Sequence, residues 1–406
     1  MSIEELLGVR PVINGAGPLT RLGGMPLAPE VAQAMADAGS ENARIEDVQT
    51  AAGRYLAEVC GAEAGYVTAG AAAGLTVGAA ACMAGLSPAA MDQLPDTTGL
   101  RSEIIIQRAH VTAYSHALRV SGAKLVDVGY VGYPGQGITW PWQVESAITE
   151  RTAALFYSVG NTGGIVELSD LVEIGRKHGI PVIVDAAAAL PPKHNLKRFT
   201  EQGADLVTFS GGKAIGGPQA SGILVGRKDL IESVALQHQD MDIYPDTWTF
   251  RNEYLESGRL PGPPHHGLGR PMKVGKEEIA GLVVALKRFL VADESADLRR
   301  QREVLLTIAD YLSATGAGVT LEDPSESGRA VPMLVIRPRI SGDPRAEIAT
   351  MVNHLIEGDP PVAVSQGMMD QGAIAVLANA MKSEHAQVAG ARIAEVIEAR
   401  EERSTT

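Results

Sequence analysis

The sequence predicts a doubly wound α/β fold, with a large, mostly parallel sheet domain followed by a smaller α+β domain. Three observations carry this. From residue 46 to residue 275, short runs that are apolar throughout and bounded by Gly or Asp alternate with helical segments. That is the pattern of parallel strands covered on both faces. Around Lys276 the pattern changes to long helices with a few short apolar runs between them. The third observation is compositional: 45% hydrophobic and 20% charged residues over 406 positions suffice for a large core and exclude a disordered chain.

In chain order, residues 1–45 are rich in Gly and Pro and read as an extended arm leading into a helix from Pro29 to Ala38. Residues 46–275 form the large domain. It opens with a helix through Val48–Cys60, then a strand YVTAG ending in Gly70, then the small-residue helix AAAGLTVGAAACMAG. RSEIIIQRA is a strand and SHALRVSG an amphipathic helix closed by Gly122. AKLVDVG, TAALFYSVG, IPVIVDA and ADLVTFS are further strands. Residues 276–406 form the small domain: two long helices, the strands VPMLVIRPRI, PVAVSQ and AIAVLA, and a terminal helix.

The formal net charge of −13 argues against a broad face for polyanions, because phosphate backbones need clustered cations. Nucleic acid is therefore not an expected partner. Two cysteines, Cys60 and Cys82, exclude a disulfide framework and suit a reducing compartment. The first residues lack a basic stretch followed by an apolar one, and the most apolar segment, Ala69 to Leu86, is mostly Ala and Gly. A cytoplasmic protein without a membrane partner is expected.

Three motifs point to chemistry. VTAGAAAG, residues 67–74, is a strand ending in glycine that opens a helix. Free N–H groups at such a start favour an anion. IPVIVDAAAALPP places Asp185 at the end of an apolar strand, where α/β proteins put their ligands. ADLVTFSGGKAIGGPQASGILVGR places Lys213 among small residues between two strands, with Ser210 three positions earlier. A lysine held there suits covalent capture of a carbonyl. In this order the motifs match pyridoxal 5′-phosphate, which needs a phosphate cup, an acid beside its pyridine nitrogen and a lysine amine for its aldehyde.

On PVINGAGPLTRLGG, AGAAAGL, VDAAAALPP, FSGGKAIGGPQASGILVGRKDLI and GRPMKVGKEEI, the sequence resembles fold-type I pyridoxal-phosphate enzymes of the selenocysteine synthase-like branch, D-glucosaminate-6-phosphate ammonia-lyase-like proteins in particular. The resemblance implies that Lys213 holds the cofactor and Asp185 pairs with its ring nitrogen. It implies that Gly70, Ala71 and Ala72 give N–H groups to the phosphate, that Ser210 adds a hydroxyl, and that His110 stacks over the ring. It also implies a homodimer or larger homo-oligomer. Relatives often carry an arginine after the Pro-Pro strand, where this chain has Ser365 and Gln366, so substrate handling is expected to differ.

Arg270 and Lys273, with Arg259, His265 and His266, form a basic stretch suited to a substrate carboxylate or phosphate, and Thr20, Arg21 and Asn14 lie in the arm. His238, Asp240 and Asp242 match no strong metal motif and are read as a structural loop. The expected activity is a lyase acting on a β-hydroxy amino acid or aminosugar acid: Lys213 removes the Cα proton, a β-hydroxyl leaves, and ammonia and a 2-keto-3-deoxy acid result. The alternative is a racemase with His110 or Tyr114 as the opposite acid–base group. An aldolase, an aminotransferase and a selenium transferase-like enzyme rank below it.

Overall fold

The computed structural model describes residues 1–132, 136–160, 163–324 and 330–404. They form two compact units. One is Leu27–Leu290; the other combines Met1–Pro26 with Val291–Thr406.

The larger unit is built on seven strands: β1 (Ala64–Thr68), β2 (Glu103–Gln107), β3 (Lys124–Val128), β4 (Thr152–Ser158), β5 (Val182–Asp185), β6 (Leu206–Ser210) and β7 (Gly222–Gly226). Their order across the sheet is β1-β7-β6-β5-β4-β2-β3. Only β7 runs against its neighbours β1 and β6, so the carboxyl ends of the other six share one edge.

The apolar runs are explained by burial on both faces. Ile105, Leu155, Val182, Val184, Val207, Phe209 and Ile223 enter one core cluster, whereas Ile104, Ile106, Phe156, Ile183, Leu206 and Leu224 enter the other. Successive strand residues point to opposite faces, so a strand buried on both has no polar alternation. The helices Ile45–Cys60, Leu168–His178 and Lys276–Val291 cover the first face, and Ala71–Ala84 and Lys228–Gln237 the second. Small residues let Ala71–Ala84 lie close to the sheet: a Cβ at Gly74 would stand 2.6 Å from Thr208 Oγ1.

In the other unit an antiparallel sheet of Gly318–Glu322, Met333–Arg337 and Ile374–Val376 packs with the helices Glu294–Leu312, Pro344–Glu357 and Ala386–Ser404. Ile13–Gly15 pairs in parallel with Val362–Val364. The units divide the chain differently from the sequence reading. The first 26 residues belong with the C-terminal segment, because Ile13 is buried in its core. The helix Lys276–Val291 packs with the large sheet, because Ile279, Leu282, Ala285 and Leu286 face that sheet's core.

Candidate active site

The strand register brings the predicted residues to one edge. Ser158 stands beside Asp185, Asp185 beside Thr208, Ser210 beside Gly222, and Gly222 beside Thr68. The carboxyl ends of β1, β4, β5 and β6 therefore meet there. The turn Arg108–His110 follows directly from the end of β2.

Gly70 opens the helix Ala71–Ala84 with φ +124°, a backbone conformation that side chains rarely adopt. The Thr68 hydroxyl donates to the Gly70 carbonyl at 2.9 Å, and the same carbonyl accepts the first intrahelical bond from the Gly74 amide at 3.0 Å. The amides of residues 71–73 lie in the first turn, where helix geometry supplies no intrahelical acceptor. Gly222 of β7 supports this cup from behind: a Cβ there would stand 2.5 Å from the Gly70 carbonyl carbon and 2.8 Å from the Ala71 nitrogen. The GGPQASG run thus ends in a residue whose missing side chain lets the edge of the sheet touch the cup.

Asp185 is half-buried, and its Oδ1 accepts a bond from the Ala187 amide at 3.0 Å. Burial raises its pKa above the usual carboxylate value, opposed by that bond and by the nearby Lys213 ammonium. Lys213 is half-buried too; burial lowers its pKa and the Asp185 charge raises it. An amine whose ammonium form is disfavoured is a better nucleophile and base. The loop holding it is stapled by the Gly211 amide donating to the Ser221 carbonyl and the Gly217 amide to the Gly211 carbonyl, at 2.9 and 2.8 Å.

His110 is 3% exposed. Its Nδ1 accepts a bond from the Ser158 backbone amide at 3.3 Å, and its ring meets Tyr157 edge-on at 4.8 Å between centroids. Burial lowers its pKa to about 4. Sequence reasoning missed Tyr157 and Ser158; their position at the end of the strand beside Asp185 was the available signal.

The basic stretch is not a cluster of free cations. Arg270 pairs with Asp240 at 2.7 Å, and Arg259 pairs with Glu232 at 2.6 Å and Glu253 at 3.4 Å. His265 meets Asp92 at 3.1 Å. Lys273 is exposed and has no ion pair among the described residues. Asp240 and Asp242 gather with His266, all three exposed, while His238 turns away and bonds the Val234 carbonyl through Nδ1 at 2.9 Å. Thr20 and Arg21 form an exposed turn in the other unit. Asn14 is buried there, its side chain bonding the Ala16 amide and the Gly17 carbonyl, both at 2.9 Å.

The family model SelA, L-seryl-tRNA selenium transferase, matches residues 12–242. The chain belongs to the SelA family. Among relatives, a 5′-C-glycyluridine monooxygenase-decarboxylase from a Streptomyces species is 31% identical over 402 residues, 96% of this chain and 91% of that one. D-glucosaminate-6-phosphate ammonia lyase of Salmonella typhimurium is 31% identical over 347 residues, 84% of this chain and 83% of that one. A solved structure of D-glucosaminate-6-phosphate ammonia-lyase superposes with a TM-score of 0.77 at 27% identity, over 98% of this chain and 99% of that one. Serine palmitoyltransferase from S. paucimobilis, solved with bound pyridoxal phosphate, shares the fold alone, with a TM-score of 0.55 at 13% identity over 96% of this chain and 88% of that one.

This SelA-family chain has the fold-type I architecture of pyridoxal-phosphate enzymes, and its residues fit that cofactor. A cup of helix-start amides, a half-buried carboxylate raised in pKa and a lysine lowered in pKa stand on one sheet edge. Among the described residues, no helix is long and apolar enough to cross a membrane.

Proposed function

We propose that this chain is an ammonia-lyase acting on a β-hydroxy amino acid or an aminosugar acid of the D-glucosaminate 6-phosphate type. The observation that carries the reading is the coupled pair of Lys213 and Asp185 in a chain that resembles such a lyase over 84% of its length. The selenium transferase of Carboxydothermus hydrogenoformans is matched over 55% of this chain and 50% of its own length, and that of Moorella thermoacetica over 87% and 75% at a lower identity of 27%. A net charge of −13 gives a tRNA no evident footing.

Pyridoxal phosphate, bound at Lys213, supplies the electron sink. Gly70, Ala71 and Ala72 would hold its phosphate with their amides, Ser210, opposite Gly222 on β6, would add a hydroxyl, and Asp185 would pair with its ring nitrogen. Lys213 Nζ, as a free amine of lowered pKa, would take the Cα proton. The Cβ–O bond then breaks and the hydroxyl departs with a proton as water. Hydrolysis of the released product gives the 2-keto-3-deoxy acid and ammonia. Lys273 is the cation proposed for the substrate's acidic groups; Arg270 would have to exchange its pairing with Asp240 to join it. A homo-oligomer in the cytoplasm is the setting this reading expects.

Racemisation requires an acid–base group facing Lys213. Of the two candidates, His110 already accepts a bond at Nδ1 and resists protonation, and Tyr114 is 71% exposed. The geometry favours elimination by a single base.

The test is an absorption spectrum of wild type beside Lys213→Ala, then addition of D- and L-β-hydroxy amino acids and aminosugar acids. Wild type is expected to show a band at roughly 410–430 nm that the variant lacks, and to release ammonia with a keto acid. Cα-proton exchange without ammonia would favour the racemase, release of carbon dioxide would favour chemistry like that named for the Streptomyces relative, and a wild type without the band after cofactor addition would sink the reading.

A further inference from the structure

Two facts about His110 fix its tautomer. A backbone N–H can only donate, so the bond from Ser158 N to Nδ1, 3.3 Å long, makes Nδ1 the acceptor. In a neutral imidazole the proton then sits on Nε2. That Nε2 is buried and has no hydrogen-bond partner among the described residues. A buried donor without an acceptor is unfavourable, and such groups in native structures have a reason.

We propose that His110 is a fixed hydrogen-bond donor of the Lys213 site, offering Nε2–H to an acceptor oxygen of the bound cofactor and substrate, and that the Ser158 amide is the group that fixes it. The inference rests on the reading of that site given above. Tyr157 keeps the ring plane by its edge-on contact. Adding a second proton would set Nδ1–H against the Ser158 N–H, donor against donor, and burial opposes the charge as well.

The groups around the histidine do not reverse this. Tyr157 is the titratable residue in ring contact, and burial raises its pKa, so it stays neutral. The histidine's own turn carries Arg108, which is exposed and supplies no negative charge to stabilise an imidazolium. The hairpin of Tyr130–Gly132 and Gln136–Ile138 packs on that turn and contributes Tyr130 as its described titratable residue. With Nδ1 occupied and Nε2 protonated, the ring has no free lone pair to receive a substrate proton. Its effect on the reaction is to select and orient an oxygen.

The test uses ¹⁵N-histidine-labelled protein, with the His110 signals identified by their loss in His110→Gln. In cofactor-free wild type the Nε2-protonated pattern is expected to persist unchanged from pH 8 to about 5.5. An Nδ1-protonated ring, or titration near the ordinary histidine value, would overturn the proposal. Two variants separate donation from stacking. His110→Gln keeps an N–H at a similar reach without the ring, and His110→Phe keeps a ring without the N–H. Loss of roughly ten- to hundredfold in kcat/KM in the Phe variant, with the Gln variant clearly less affected, is the expected result. A tolerated Phe, or equal losses in both, would refute the donor role. The spectra need no turnover, so a protein inactive as a lyase would refute the functional reading while leaving the tautomer measurable.

Discussion

A histidine that refuses its proton leaves a mark on stability. In the unfolded chain His110 takes up a proton near pH 6.5, whereas in the folded chain it does so only near pH 4. The folded-state pKa is the lower one, so the contribution is complete above pH 6.5 and is lost as the pH falls from 6.5 towards 4, reaching about 3 kcal/mol in full. His238 is lowered to about 4 in the same way and adds a loss of the same sign. Urea titrations at pH 7 and pH 5 are therefore expected to show His110→Gln losing roughly 2 kcal/mol less than wild type on acidification. Equal losses would mean that the ring ionises freely in the folded protein. A lysine following two glycines and an aspartate closing an apolar run are local patterns, so the sequence itself singles out Lys213 and Asp185 as candidates. The partner of His110 was not legible there, since it is a main-chain amide 48 positions away whose place depends on how β4 lies in the sheet.

At the scale of elements, two glutamines do the work of strand partners. Gln107 is 1% exposed; its amide donates to the Val166 carbonyl at 2.9 Å, and its oxygen accepts from the Val166 amide at 2.6 Å. Gln49 does the same for Val67, tying a helix to the edge strand β1 with bonds of 2.9 and 3.1 Å. Gln107→Leu keeps the bulk but leaves two main-chain groups unpaired, and chemical denaturation is expected to show a loss of about 2–5 kcal/mol. Gly222→Ala acts on the cup: its methyl group would meet main-chain atoms at 2.5 and 2.8 Å, which cannot swing aside as a side chain can. Overpacking of this kind costs about 1–3 kcal/mol, and retention of pyridoxal phosphate after gel filtration is expected to fall along with stability. Retention equal to wild type would show that the cup tolerates displacement. The central strands were readable because both faces are buried and each run is apolar throughout; the edge strand Lys124–Val128, with Lys124 and Asp127 exposed, was readable from its apolar residues alone. Ile13–Gly15 was read as part of an extended arm because three residues carry no period, and the pairing with Val362–Val364 that makes them a strand lies at the far end of the chain.

At the scale of the whole molecule, the unit built from Met1–Pro26 and Val291–Thr406 depends on both ends of the chain. Removing the first 26 residues takes away Ile13, which is 7% exposed in that unit's core, and the strand beside Val362–Val364. Hydrogen exchange on the shortened protein is expected to rise in Val362–Val364 and in the helices Pro344–Glu357 and Ala386–Ser404, with β2, β4 and β5 unchanged. Protection maintained in the C-terminal segment would show that it does not need the N-terminal strand. The same connectivity sets an order of events during synthesis. Leu27–Leu290 is one uninterrupted stretch, so Lys213, Asp185, His110 and the strands that position them have left the ribosome before the partner of Ile13–Gly15 exists. At roughly 5–20 residues per second, that first strand waits on the order of tens of seconds for its mate. The earliest-made part of the protein is thus among the last to find its place, and the seven-stranded sheet can be complete while the chain's own beginning is still unpaired.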